Sequence, residues 1–250
     1  MRRVIYTCIV GGYDELRQPD VVDPSFDYIC FSNDFRETRI GVWEIRPIPY
    51  ISSDKTRLSR FVKLMPHKAL PEYEISVWMD SNIQITGPGF YEAVYRASDA
   101  GHLLSQVPHP HFDCIYDDMR AISIMAKVPV FQTYRQFRFL RKEGFPEHFG
   151  LFENNIIFRV HNDPSVVSVS EEWWKIYNEY TPRDQFSLMY LYWKRGMTVP
   201  LLFGESLNAR NVPFLSFRQH DAYNETKGFR RFYMKVKWTV ARWLTKLLLV

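Results

Sequence analysis

Asp80 and Asn82 flank Ser81 at the end of an apolar run, Ile75 to Met79. Carboxylate and amide oxygens are hard donors, so two such side chains in one turn can reach a cation such as Mg²⁺ or Mn²⁺. Three further groups offer polar chemistry: Glu153-Asn154-Asn155, Asp184-Gln185, and the loop histidines His109 and His111. Each also has a plainer explanation. Short acidic turns are common. An acid in the first turn of a helix is favoured by the helix dipole, which accounts for Asp184. Two loop histidines need further ligands before they make a zinc site. A last group is basic, with Lys55, Arg57, Arg60 and Lys63 on one side of a helical stretch. Those cations form either a solvated face or, since this helix precedes the Asp80 strand, a set that meets a diphosphate at the same edge.

These groups need elements to position them. Ile75–Met79 reads as a buried strand whose carboxyl end carries Asp80, and ligands of open α/β sheets bind outside such ends. Val4 to Val10 predicts the first strand, stopped by Gly11-Gly12-Tyr13-Asp14. That turn lacks the GxGxxG spacing of a dinucleotide site. Strands are further expected over 27–32, 42–48, 102–107, 199–203 and 214–217, and one directly after Asn155. One helix is expected from Ser53 to Leu70, with Leu58, Phe61, Val62 and Met65 inward and Pro66 and Pro71 closing it. Others are expected over 90–98, 114–127 and 131–143, from Asp163-Pro164, and from Thr181. No internal repeat or low-complexity linker interrupts the chain before Lys227, so residues 1–228 read as one α/β domain.

From Phe229 to Val250 the pattern changes. Phe232, Val236, Val240, Trp243, Leu244 and Leu247 recur at helical spacing among Arg230, Arg231, Lys235, Lys237, Arg242 and Lys246. Charges interrupt this stretch too often for a spanning helix. A basic amphipathic helix suits an anionic membrane surface, and the competing reading is a last helix packed on the domain. The net charge of +4 fits an anionic ligand or membrane and is too small to argue for nucleic acid. Cys8, Cys30 and Cys114 have no metal-ligand spacing, so buried reduced thiols and a cytoplasmic location are expected. No long apolar segment with a small-residue cleavage site follows Met1-Arg2-Arg3, so no signal peptide is expected.

Several separated stretches carry a resemblance. They are Tyr6-Thr-Cys-Ile-Val-Gly-Gly-Tyr-Asp14, Asp54 with Arg57-Leu-Ser-Arg60, Lys63 and Pro66-His67, and Trp78-Met-Asp-Ser-Asn-Ile83. To these add His109-Pro with Asp113-Cys-Ile-Tyr116, Gly150-Leu-Phe-Glu-Asn-Asn155 with Arg159 and His161-Asn162, and Arg183-Asp-Gln-Phe-Ser187. Together they resemble the TOD1/MUCI70-type glycosyltransferase-like family, over about Tyr6 to Gly204. The resemblance implies a GT-A-like, Rossmann-type mixed sheet flanked by helices. It also implies a nucleotide-sugar donor (a UDP-sugar foremost), a glycan or lipid-linked acceptor, and Mn²⁺ or Mg²⁺.

In GT-A enzymes an Asp-x-Asp at the end of a central strand holds the cation on the donor diphosphate. Asp80-Ser81-Asn82 occupies that place with an amide as its second member, which coordinates without adding charge. His220 is similar in placement to a C-terminal metal ligand, and Lys227 to a diphosphate-binding lysine. Thr7, Tyr13, Asp14 and Ser81 would border the donor, with Arg57, Arg60 and Lys63 behind them. Glu153 and Asp184 are the carboxylates that would act in transfer; His109, Asn154 and Gln185 would meet the acceptor. Two other functions use the same residues: a metal-dependent hydrolase, which lacks HExxH or a clustered His/Asp set, and a non-catalytic sugar-binding protein, which Asn82 allows.

Overall fold

The computed structural model describes residues 1–218 and 229–249, the side chains of 229–236 excepted. Seven strands form the main sheet in the order β3-β4-β2-β1-β5-β8-β7. They are β1 (Arg3–Cys8), β2 (Phe26–Phe31), β3 (Arg39–Ile40), β4 (Trp43–Arg46), β5 (Ile75–Met79), β7 (Leu104–Pro108) and β8 (Phe152–Arg159). The central four, β4-β2-β1-β5, run parallel. β8 runs antiparallel between β5 and β7, and β3 is antiparallel at the other edge. This is a mixed α/β sheet of the kind that the resemblance implies.

Both faces of the sheet are covered, so the central strands are apolar on both sides. Along β1, Val4, Tyr6 and Cys8 enter one core cluster, while Ile5 enters the other. Along β5, Trp78 joins the first, and Ile75, Val77 and Met79 the second. The first cluster packs under α1 (Lys55–Leu64), α2 (Pro66–Ala69), α4 (Ile115–Ile124), α5 (Val130–Lys142), α6 (Pro164–Glu179) and α7 (Leu188–Lys194). The second lies under α3 (Gly89–Asp99) and the segment around 202–217. All three cysteines are free and buried.

Three expectations need correction, and one pairing was missed. The helix expected over 53–70 is two helices, because Met65 leaves helical geometry at φ −120° and Pro66 starts α2 without an N–H to donate. Asp54 caps α1, accepting from the Thr56 and Arg57 amides at 2.8 and 3.2 Å. Residues 199–203 form no strand: Leu201 makes a single bridge to Gln106, and Pro200 has no N–H for a ladder. Glu153, Asn154 and Asn155 lie inside β8 rather than before it. Their polar side chains fit there because the β7–β8 register shifts between Gln106 and Val107, a bulge that re-aims side chains. Finally, β6 (Ile83–Ile85) pairs with β9 (Leu215–Phe217) in a separate two-stranded sheet that the sequence reading missed on the β6 side.

The last helix, α8 (Phe229–Leu248), docks on α4 and α5. Ala241 packs with Ala126 and Val130, and the Arg120 guanidinium donates to the Leu249 carbonyl at 2.7 Å. Val240, Trp243 and Leu247 remain exposed. The helix therefore packs on the domain through one face and presents apolar residues on another. Among the described residues no helix is long and apolar enough to cross a membrane.

Candidate active site

Strand direction assembles the site. β5 ends at Met79, and the Asp80 amide donates to the Asn155 carbonyl at 2.9 Å, extending the β5–β8 pairing by one residue. Because β8 runs the opposite way, its polar beginning lies beside the carboxyl end of β5. Asp80 and Glu153-Asn154-Asn155, far apart in sequence, thus share one edge.

α1 supplies the cations. Lys63 Nζ lies 2.6 Å from Asp184 Oδ2 and 3.3 Å from Asp80 Oδ1, and Arg60 Nε lies 3.3 Å from Asp184 Oδ1. The Trp78 indole N–H donates to Asp80 Oδ1 at 2.7 Å, and Lys63 Nζ sits 5.3 Å over the Trp78 ring. Lys63 and Asp184 are 2% and 8% exposed, so at Lys63 the basic face is not solvated, while Lys55 and Arg57 remain open to water. Burial alone would raise the Asp184 pKa, but Arg60 and Lys63 beside it hold the carboxyl well below its ordinary range. Burial likewise opposes the charge on Arg60, and Asp184 and Asp80 raise its pKa regardless. Arg57 lies roughly a third of a turn from Lys63 round the helix and pairs with Asp54 at 3.7 Å.

The β8 wall is a hydrogen-bonded network. Glu153 receives both arms of the Arg210 guanidinium, whose carbon lies 4.0 Å over the Phe217 ring. Asn154 accepts from Gln106 Nε2 at 2.9 Å, and the Asn154 amide donates to Gln185 Oε1 at 3.2 Å. Tyr192 fixes Gln106 in turn, donating to its Oε1 at 2.7 Å. Asn155 is buried with neither polar side-chain atom paired to protein. Leaving a buried polar group unmatched costs roughly 1–3 kcal/mol, so such atoms are where a ligand gains most. His109 accepts from the Phe112 amide at 3.0 Å through Nδ1, which places its proton on Nε2. Burial, then the neighbouring His111, Arg183 and Arg210, push its pKa down to about 4, so it is a neutral donor near pH 7.

Two lobes meet at Asp80. The first, of about 320 Å³, lies between the end of β1 and the start of α1, with Gly11, Tyr13, Lys55, Thr56, Ser59 and Ser81 in its walls. Gly11 there has φ +74°, and a Cβ would come 2.7 Å from Lys55 Nζ. The second lobe, of about 620 Å³, is lined by Lys63, Asn82, His109, Asp118, Glu153, Asn154, Arg183, Asp184, Gln185 and Arg210, among others. Tyr13, Arg60 and Asp80 border both. Asp14 accepts from the Ser81 hydroxyl and ties the β1 turn to the Asp80 turn. Thr7 is buried and lines neither lobe; it borders a void of about 10 Å³ under Asp80 and Ser81. Arg57 is in the lining of neither lobe.

The residues at the junction fit a hard divalent cation. Asn82 Nδ2 donates to the Arg218 carbonyl at 2.7 Å, while its Oδ1 is buried and unmatched by protein. Asp80 Oδ1 is taken by Trp78 and Lys63, so Asp80 Oδ2 and Asn82 Oδ1 are the oxygens on offer. β9 brings Arg218 to Asn82, and the Arg218 amide donates to the Asn82 carbonyl at 3.0 Å. His220 and Lys227 lie outside the described residues.

A family model described as TOD1/MUCI70, glycosyltransferase-like domain, matches residues 1–205. The chain belongs to that family. No curated protein matches it significantly. Among solved structures it is similar to mouse xyloside xylosyltransferase 1 in its apo form, at 11% identity over 80% of this chain and 84% of that one, with TM-score 0.44. It is also similar to the apo-form glycosyltransferase GlyE of Streptococcus pneumoniae TIGR4 (11% identity, 99% and 64% covered, TM-score 0.45) and the bifunctional glycosyltransferase WbbM (12%, 96% and 44%, 0.45). The chain thus spans under half of WbbM and about two thirds of GlyE.

For this TOD1/MUCI70 chain, sequence reasoning overlooked one carboxylate. Asp118 on α4 is buried in the second lobe with Oδ2 unmatched, and burial raises its pKa. Its signal was visible: Asp118 falls among Ile115, Met119 and Ile122, on the buried stripe of an amphipathic helix. Arg183 and Arg210 also line that lobe; Arg183 lies in a stretch that carries the resemblance but was given no role, and Arg210, an isolated arginine, carries no spacing signal.

Proposed function

We propose that this glycosyltransferase moves a sugar from a nucleotide-sugar donor, foremost a UDP-sugar, to an acceptor at a membrane surface. The nucleotide occupies the lobe between β1 and α1, beside Tyr13, Asp14 and Ser81, and the diphosphate lies at Asp80. Asp80 and Asn82, with His220 as a further candidate ligand and Lys227 near the diphosphate, would hold Mn²⁺ or Mg²⁺. Such a cation neutralises charge on a departing diphosphate. Arg60 and Lys63 add positive charge at the same point, where negative charge builds in the transition state.

The acceptor lies in the second lobe, met by His109, Asn154 and Gln185. Asp184 is held by two cations and has little proton affinity, so its role is to position Arg60 and Lys63. Glu153, with Arg210, orients acceptor hydroxyls. Asp118 has the raised proton affinity that a base needs, and in an inverting displacement it would take the proton of the attacking hydroxyl. The cationic α8, with Trp243 outward, would bring the domain to an anionic membrane on the cytoplasmic side.

The observation that carries this reading is the meeting of two lobes at Asp80, with Lys63 3.3 Å from its carboxylate. Calorimetric titration of UDP with and without Mn²⁺ tests it. We expect cation-dependent binding in the wild type and at least a hundredfold loss in Asp80→Ala. Equal binding by the two proteins would remove Asp80 from the donor site.

A further inference from the structure

Between α4 and α5 the second lobe changes character. Ala121, Ile122 and Met125 give it a largely apolar edge, with the charge of Lys127 beside them. Immediately beyond, Ala126, Val128 and Phe131 line a separate groove of about 280 Å³, closed on its far side by Val240 and Leu244 of α8. The turn over 125–128, tightened by Ala126 at φ +53°, is the sill between lobe and groove. Met125 and Phe131 on either side of it are 51% and 63% exposed. Exposed apolar side chains clustered beside a polar cleft mark a ligand or membrane contact.

Charge selects the occupant. From 229 to 250 the chain has six cations and no acidic residue. A second copy docked on this face would bring two such helices together, whereas anionic lipid attracts them.

We propose that the acceptor is a lipid whose polar head lies in the second lobe and whose hydrocarbon chain crosses the sill into the groove under α8. This rests on the glycosyl-transfer reading and names its acceptor class. An amphipathic ligand matches a site whose polar and apolar parts adjoin. Each methylene buried in the groove adds roughly fourfold to affinity.

The test uses the full chain and monomeric phosphatidylglycerol with two hexanoyl or two heptanoyl chains, below the micellar concentration. Calorimetry should show affinity rising severalfold with the longer chains. Phe131→Asp, on the groove, and Arg183→Ala, in the lobe, should each weaken binding at least tenfold. Vesicles of phosphatidylcholine and phosphatidylglycerol with brominated acyl chains should quench Trp238 and Trp243. UDP binding with Mn²⁺ should be unchanged in Phe131→Asp. Affinity independent of chain length, or an effect from only one of the two substitutions, overturns the proposal. So does a dimer in sedimentation that Phe131→Asp dissolves. Failure of the wild type to bind UDP breaks the underlying donor reading instead, since the lipid measurements are made without nucleotide.

Discussion

The two walls of the cleft hold their charges in different ways. On the α1–β5 wall, Lys63 and Asp184 are almost wholly buried and share their charge with Arg60 and Asp80. On the β8 wall, Arg210 and Glu153 form a two-pronged pair but remain 33% and 16% exposed. A charge removed from the first wall leaves a buried partner with one counter-charge fewer in a poor solvent; one removed from the second leaves a partner that water can reach. The first wall is therefore scaffold and electrostatics at once, and the second can exchange its internal pair for a ligand's hydroxyls.

The strongest way to break this contrast is Lys63→Met, which keeps the stem and deletes the charge. Breaking a buried pair from one side costs about 3–5 kcal/mol, and urea unfolding should show a loss of that order. Asp184→Asn added to Lys63→Met should recover little of it, because Arg60, 3.3 Å from the Asp184 carboxylate, then loses its own partner. A loss under about 1 kcal/mol would mean that the pair is solvated and the walls are alike.

A second test works through pH on the β8 wall. His109 has a folded pKa of about 4 against an ordinary 6.5, so protonation favours the unfolded chain. Its contribution to stability is whole above pH 6.5 and is lost as pH falls toward 4. His109→Gln should remove that part of the acid slope, on the order of 1–2 kcal/mol after allowance for partial exposure. His161 is depressed to about 4 as well, so the readout is the difference between wild-type and variant melting curves over this range. Superimposable curves would place His109 in solvent.

How far the site was legible follows from the same contrast. The Asp80 edge could be read because a strand of apolar residues ending in polar ones has a single direction and a single exposed end. Lys63 could not be placed so firmly, because a basic helical face looks the same whether it meets water or a sheet edge. Only the neighbouring carboxylates, one just past the end of β5 and one more than a hundred residues on, decide it. β8 was mis-started because polar residues were taken to mean loop, whereas an antiparallel strand here carries them into the cleft. Asp118 was missed although its position on an apolar stripe was in plain view. The late strand over 199–203 failed on Pro200, whose missing N–H weighs more than the apolar run around it.

Asn82→Asp sharpens the account of the first wall. The substitution adds one negative charge where the Oδ1 acceptor is buried and unmatched, and cation affinity rises with ligand charge. Mn²⁺ binding in the presence of UDP should tighten about tenfold, or about 1.4 kcal/mol. The second carboxylate oxygen would face the Arg218 carbonyl, to which Asn82 Nδ2 donates at 2.7 Å, and this repulsion limits the gain. Unchanged affinity would take residue 82 out of the cation site.

The smallest expected effect on stability belongs to Glu153→Gln. Glutamine keeps the shape and one acceptor oxygen for Arg210, and the pair it weakens is partly open to solvent, so the loss should be about 0–1 kcal/mol. If Glu153 orients acceptor hydroxyls, the same substitution should raise acceptor KM severalfold while leaving UDP affinity untouched, since Glu153 lines only the second lobe. A fall in kcat with constant KM would give Glu153 a part in the chemical step in place of Asp118. A stability loss as large as that of Lys63→Met would erase the difference between the walls.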